Sequence, residues 1–407
     1  MRIQLWSYNY EPEPTGIAPV STVWAKAMRD RGHDVSVVAA HPHYPSPEWG
    51  KRLRPYRETR DGIPVLRLPL WIGRSGGLQR VRQEVSFMLS QTAAVPMLGD
   101  PEVIVAVSPS FPALMPAMLD SRMRRRPWVL WLQDILPDAA AATGLLPDGP
   151  LLGAARAFER AAYKSADRIV VISGTFEENL IGKGVPAEKL ARIYNFATRP
   201  LTEREPADRF SAPLVLHMGN IGFSQGLAPL AAAFERSAEM ARRNVSFVLA
   251  GDGLATAAIR SSVRGDRVQL PGVLPSADLE RMLQRATFGL VSQQPYEVEF
   301  NVPSKLMNFM AYGLPIVAMV RRESEVARLV ESAGAGWIAD PADPDSFPRV
   351  VAAALDDPAE TNRRGEAAQV FARERFTPER SAEQFEHVLE GVVLAGRLPA
   401  APRPVAA

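Results

Sequence analysis

Apolar, β-branched runs alternate with stretches of helical periodicity along most of this chain. The runs are Ile3 to Trp6, Val35 to Ala40, Val103 to Val107, Trp128 to Leu132, Ile169 to Ile172, Leu214 to His217, Val245 to Ala250, Phe288 to Val291 and Ile316 to Val320. Strands that are apolar throughout and separated by helices predict parallel sheets covered on both faces. The first helix is the clearest. Val20, Val23, Trp24, Ala27 and Met28 fall at the helical spacing, and Gly32 follows as its stop.

Between Asn195 and Pro213 the alternation gives way to polar, proline-bearing sequence without periodicity, which reads as a linker. A new strand, turn and helix begin at Leu214. The expected fold class is therefore α/β. Two doubly wound, Rossmann-like domains, over residues 1–198 and 214–377, are joined by a linker at 199–213 and expected to face each other across a cleft. A last helix at 378–395 follows the completed second sheet and is expected to pack back across the linker. The Pro- and Ala-rich tail at 396–407 is expected to be disordered.

Length supports this division, since 407 residues at roughly 100 to 200 per domain suit two domains. Hydrophobic residues at 46% and charged residues at 23% are ordinary for a globular enzyme. A formal net charge of +2 makes the chain as a whole no polyanion binder, so nucleic acid is not an expected partner. The short basic run at 122–126 suits acidic lipid or nucleic acid, or more ordinarily a solvated helix end, and with the run at 80–82 it is where a membrane-bound acceptor would predict vesicle binding. The absence of cysteine excludes disulfides, thiolate catalysis and cysteine-ligated zinc. The chain opens directly on a strand, and no window has the apolar length of a bilayer span, so the expected location is the cytoplasm.

Candidate chemistry gathers at strand ends. The stretch Val302 to Pro315 predicts a helix with Ser304 as its cap, Gly313 as the left-handed residue after its last turn and Pro315 as its stop. Ser304, Lys305 and Asn308 then share one edge. Free N–H groups, a hydroxyl and a lysine suit a diphosphate, with Asn308 placed for an attached group such as ribose. The same pattern also describes an ordinary cap beside a solvated lysine.

Two glycine loops open helices in the same way. Gly16 lies in Asn9 to Pro19, and the loop Gly219-Asn220-Ile221-Gly222-Phe223-Ser224-Gln225-Gly226 follows the Leu214 strand. A glycine there lets backbone approach an anion or simply makes a turn. Neither the spacing of this loop nor Gly251-Asp252-Gly253 gives the dinucleotide fingerprint, which disfavours hydride chemistry.

Asp134, in Leu132-Gln133-Asp134, is expected on the ligand edge as a proton acceptor, a holder of a sugar hydroxyl or a cap for the next turn. His41 and His43, followed by Tyr44, stand after the second strand and serve either an acceptor or loop packing. No third ligand clusters with them, so no metal site is expected. Asp343-Pro344-Asp345 has the Asp-x-Asp spacing of a cation site, but turn chemistry explains it better. Trp128 and Trp131 suit either a sugar cleft or the core, and as strand residues they read as core.

Taken in order, the segments Asn9 to Val20, Gln133-Asp134, Ala157 to Arg160 before Ile169 to Ser173, Gly219 to Gly226 and Val302 to Pro315 resemble the retaining glycosyltransferases of family 4. Those enzymes have the two-domain GT-B fold, and the resemblance is to their colanic-acid-type branch of bacterial polysaccharide enzymes. It covers nearly the whole chain. It implies that the second domain binds a nucleoside diphosphate sugar, that the first binds the acceptor and that the last helix crosses back to the first domain.

The resemblance implies catalytic roles for Asp134 and Lys305. Together with the residue patterns, it makes Gly16, Gly219, Asn220, Gln225, Ser304, Lys305 and Asn308 the expected donor residues, and His41, His43, Tyr44 and Gln133 the expected acceptor residues. It implies no metal and no cofactor, the leaving diphosphate being stabilised by protein donors. Asn220 and Gln225 stand where the family usually has Arg and Lys, and Asn308 where it has Glu. Compensation of the diphosphate then falls to Lys305, Ser304 and the helix start.

The expected reaction is retaining transfer of a sugar from a nucleoside diphosphate, GDP slightly favoured over UDP, to a polysaccharide or lipid-linked acceptor, with weak peripheral membrane contact. One alternative acceptor is a small antibiotic precursor or soluble thiol. A nucleotide-sugar epimerase or a non-catalytic nucleotide-sugar binder is the alternative of another class.

Overall fold

The apolar runs form strands of two separate sheets. A computed structural model describes residues 1–14, 16–43, 53–72, 77–108, 111–142, 149–199, 209–295 and 302–397. The strands of the first sheet are β1 (Arg2–Ser7), β2 (Asp34–Ala40), β3 (Tyr56–Arg60), β4 (Ile63–Leu68), β5 (Val103–Val107), β6 (Trp128–Leu132), β7 (Arg168–Val171) and β8 (Leu190–Arg192). Among the described residues their order is β3-β4-β2-β1-β5-β6-β7-β8, parallel except for the hairpin of β3 with β4. Helices α1 (Ala18–Asp30), α2 (Gly77–Ala94), α3 (Phe111–Arg124), α4 (Leu136–Ala142), α5 (Pro150–Ser165) and α6 (Gly174–Gly182) connect them. β5 and β6 are buried at every position, which is why their sequences are apolar without alternation.

The second sheet has the parallel order β11-β10-β9-β12-β13-β14. Its strands are β9 (Leu214–Met218), β10 (Ser246–Ala250), β11 (Val268–Gly272), β12 (Phe288–Ser292), β13 (Ile316–Met319) and β14 (Gly336–Ala339). The helices are α7 (Leu227–Arg236), α8 (Ala238–Arg242), α9 (Thr256–Ser262), α10 (Ser276–Arg285), α11 (Lys305–Ala311), α12 (Glu325–Ala333), α13 (Ser346–Asp356) and α14 (Pro358–Arg375). Phe234, Phe247 and Phe347 meet in its core with ring centres 5.3 to 5.4 Å apart.

These sheets define two compact units, Asn195–Thr377 and Met1–Tyr194 with Pro378–Ala407. The final helix, α15 (Pro378–Arg397), therefore belongs to the first unit. Its Phe385 packs against Trp24 of α1 and Trp131 of β6, at 5.2 and 4.8 Å between ring centres. Glu386 pairs with Arg31 and, at 3.0 Å, with His33, both just beyond α1. Most of the expected linker (200–208) and the tail from 398 lie outside the described residues. Among the described residues no helix is long and apolar enough to cross a membrane.

Each sheet has a strand from which the chain departs in both directions. From β1 it goes to β2 on one side while β5 lies on the other, and β9 stands likewise between β10 and β12. The carboxyl ends of such a pair leave a crevice, where open α/β sheets bind ligands.

Candidate functional site

In the second unit that crevice is built from three backbone segments. β9 delivers His217 and Met218 to its edge, and Gly219 turns away with a φ of +95°. The loop after it is tied to the loop after β10. Gly219 N–H donates to Ala250 O at 2.8 Å, Ile221 N–H to Asp252 O at 2.9 Å and Ala255 N–H to Ile221 O at 2.9 Å. Contact is so close that a Cβ on Gly251 would lie 1.8 Å from Gly219 O, and one on Gly253 2.4 Å from Ile221 O. The Gly251-Asp252-Gly253 stretch is thus glycine-rich for loop packing. Gly226, at φ +60°, starts α7, and Gln294 beyond β12 fixes the turn by donating from its backbone to Ser224 O at 2.7 Å.

α11 stands over the β9–β12 junction. Its end follows the expected pattern: Gly313 has a φ of +60°, and the N–H groups of Gly313 and Leu314 donate back to Met310 O and Phe309 O at 2.9 and 3.0 Å. Its seat on the sheet depends on Gly289 of β12, where a Cβ would come within 2.6 Å of the Phe309 ring. The start differs from the expectation. Ser304 has helical backbone angles and its side chain makes no capping bond. A side-chain cap needs an extended residue at that position, so the Ser304 hydroxyl instead stays at the exposed rim.

Lys305 is buried, not solvated, with its Nζ 2.9 Å from His217 Nε2. Among the described residues no carboxylate pairs with it. Burial pushes the amine pKa down to about 7. Burial, reinforced by the neighbouring amine, holds His217 well below the ordinary histidine value, so the imidazole is neutral. Asn308 faces elsewhere. Its Oδ1 accepts from Arg199 N–H at 3.2 Å, and its Nδ2 donates to Ser304 O at 3.3 Å and to Thr198 Oγ1 at 3.4 Å. The expected shared edge is therefore divided: Lys305 points to the crevice strand, and Asn308 holds the segment after residue 197. Asn220 is exposed, while Gln225 Oε1 and Ser292 Oγ are buried without a hydrogen-bond partner among the described residues.

In the first unit, Gly16 has a φ of +67° at the entrance to α1, a turn that favours glycine. His41 and His43 are buried. His41 packs on Tyr56 at 5.1 Å between ring centres, and His43 on Tyr8 at the same distance. Glu13 joins the two loops: its Oε1 accepts from His43 N–H at 2.8 Å and its Oε2 from Asn9 Nδ2 at 2.9 Å. Gln133 is buried and Asp134 half-buried. Their N–H groups converge on Ser108 Oγ beyond β5, at 2.8 and 3.4 Å. Trp128 and Trp131 are core residues, and Tyr44 lies outside the described residues.

His217, Glu13 and Ser108 are site-edge residues that the sequence patterns did not single out. His217 alone left a mark, as the one polar residue in Leu-Val-Leu-His-Met. Glu159, in the Ala157 to Arg160 segment, is buried, and desolvation raises its pKa. It is held by Lys183 Nζ at 3.1 Å and Tyr163 Oη at 2.9 Å, a tie between α5 and the end of α6. Asp343 and Asp345 make exposed ion pairs with Arg349 and Arg236. No group of three His, Asp or Glu side chains able to hold a metal occurs among the described residues.

Two Rossmann-like units, each with a switch-point crevice at the carboxyl ends of its strands, make the framework of the GT-B fold. Residues 15–196 match a model described as a glycosyl transferase 4-like domain, and residues 212–357 match one for glycosyl transferases group 1. The chain belongs to the family 4 glycosyltransferases of GT-B fold. It is 28% identical over 356 residues, 82% of this chain and 86% of the relative, to WcaI of Escherichia coli (strain K12), which is named as a colanic acid biosynthesis glycosyl transferase. In structure it is similar to sucrose-phosphate synthase from Thermosynechococcus elongatus, with a TM-score of 0.74, 16% identity and coverage of 97% of this chain and 99% of that one. It is also similar to HepE from Anabaena in complex with UDP and glucose, with a TM-score of 0.69, 19% identity and coverage of 96% and 99%.

Proposed function

We propose that this glycosyltransferase binds a nucleoside diphosphate sugar at the β9–β12 crevice of its second unit and transfers the sugar with retention of configuration. The observation that carries this reading is the Lys305 amine, buried beside a neutral imidazole and paired with no carboxylate among the described residues. A buried ammonium is costly unless an anion accompanies it, so the site as built favours an arriving diphosphate. Ser292 Oγ and Gln225 Oε1, without a hydrogen-bond partner among the described residues, lie on the same sheet edge and suit further donor contacts. UDP in the HepE complex supports a nucleoside diphosphate, and guanine remains the favoured base on the colanic-acid-type resemblance.

In the reaction the acceptor hydroxyl oxygen bonds to the anomeric carbon on the face from which the diphosphate departs. The anomeric carbon–phosphate oxygen bond breaks with its electron pair on the phosphate, and the hydroxyl proton passes to that departing phosphate. Lys305 stabilises the charge growing on the leaving phosphate, a role that requires no metal ion. In the first unit, Asp134 and Gln133, fixed through Ser108, are the acceptor-side groups. The acceptor itself is a lipid-linked or polysaccharide intermediate, in line with the WcaI relationship. The test is Lys305→Ala: turnover should fall about 10²- to 10³-fold with folding intact, as for the loss of a single oxyanion donor. Near-normal turnover removes Lys305 from the mechanism. A thermal-shift series with GDP, UDP and ADP reads the base, the tightest ligand giving the largest stabilisation.

A further inference from the structure

The glycine loop after β9 is fastened from outside. Its single 3₁₀ turn, Phe223–Gln225, is closed by Gln225 N–H to Gly222 O at 3.3 Å and Gly226 N–H to Phe223 O at 3.1 Å. Neither this turn nor α7 behind it has a side-chain cap. Gly219, Gly222 and Gly226 give the loop backbone freedom that some other contact has to remove.

That contact comes from the chain just beyond β12. Gln293 N–H still bonds toward β13, at 3.0 Å to Met319 O, but one residue later Gln294 N–H crosses the sheet edge to Ser224 O at 2.7 Å. The Gln294 side chain adds a second bond, donating from Nε2 to Phe223 O at 3.0 Å. Its stem passes over Gly226, where an added Cβ would lie 3.6 Å from Gln294 Cγ. One residue thus holds two successive carbonyls of the turn and covers the left-handed glycine after it. Gln294 is itself exposed, so it contributes nothing to the core. Gln225 stands between the fastened Ser224 and Gly226, and its buried Oε1 has no hydrogen-bond partner among the described residues. Such an oxygen is unfavourable until an N–H or O–H of a ligand reaches it, so the direction in which the turn aims it matters.

We propose that Gln294 is a positioning residue for the sugar donor: its side-chain amide holds the Phe223–Gln225 turn in the conformation that directs Gln225 at the bound nucleoside diphosphate. A loop without that bond spends part of its time in other conformations, and apparent affinity falls by the fraction lost. The inference rests on the donor reading above and assigns Gln294 no contact with the donor itself.

The test is calorimetric titration of the full-length chain with GDP and with UDP, following whichever wild type binds more tightly. Gln294→Met keeps the stem over Gly226 and the backbone bond but removes the Nε2 donor. Affinity should fall about five- to tenfold, the size of one intramolecular hydrogen bond. Melting without ligand should stay within about 3 °C of wild type, the scale of a surface substitution. Gln225→Ala should also weaken binding, and combining it with Gln294→Met should add less than about a twofold further loss, because one residue acts through the other. Unchanged affinity in Gln294→Met, or losses that multiply in the double variant, overturns the proposal and leaves the donor reading in place. So does a larger drop in melting temperature, because Gln294 would then be a structural residue. Absence of wild-type binding to both nucleotides overturns the donor reading, and this inference with it.

Discussion

Lys305 and His217 are 88 residues apart in sequence, and their contact gives the candidate site its most specific property. Because burial lowers the amine pKa to about 7, roughly neutral solution leaves Lys305 partly uncharged until an anion arrives. A bound diphosphate favours the charged form, so binding takes up a proton and affinity falls as pH rises above about 7. We expect calorimetric titration with an intact nucleotide sugar, whose diphosphate keeps its charge throughout and whose base is still neutral, to weaken steadily from about pH 7 to about pH 8. Lys305→Met should bind more weakly and lose the slope. His217→Phe removes a hydrogen-bond acceptor for the ammonium, which lowers the amine pKa further and moves the onset of weakening to lower pH. An unchanged profile in both variants would detach the pair from donor binding.

At the scale of elements, the reliability of a local signal depended on whether it needed a partner. The end of α11 was legible because a glycine in a left-handed turn satisfies the last carbonyls within six residues. Its start was misread because Ser304 is already helical and cannot cap. The edge and minor strands escaped notice for related reasons. β3, Tyr-Arg-Glu-Thr-Arg, is a polar strand, and β4 and β11 contain prolines, whereas β8 has three residues. Gly289 is the position where element packing is tightest. Replacing it by valine drives a side chain into Phe309, and we expect a loss of about 1–3 kcal/mol in urea unfolding, typical of overpacking. Nucleotide stabilisation should decline with it, since α11 carries Lys305.

At the scale of the whole chain, the first unit is discontinuous, completed by α15 from the far end. Its Phe385 closes an aromatic cluster with Trp24 and Trp131, both fully buried. Phe385→Ala should cost about 3–5 kcal/mol, the range for deleting a buried aromatic, and should show as a shifted denaturation midpoint by tryptophan fluorescence. A native midpoint would mean that the cluster adds little to the first unit.

The sequence by itself determined the parallel core strands of the two sheets, because strands buried on both faces are apolar at nearly every position. It also determined the helix stops and the absence of a dinucleotide fingerprint, since each is written within a few neighbouring residues. Tertiary structure alone decided that His217 meets Lys305 and that Asn308 holds Thr198 and Arg199. These depend on which distant segments are brought together by the crossovers. A periodic pattern specifies that a face is apolar, but only packing specifies what lies against it.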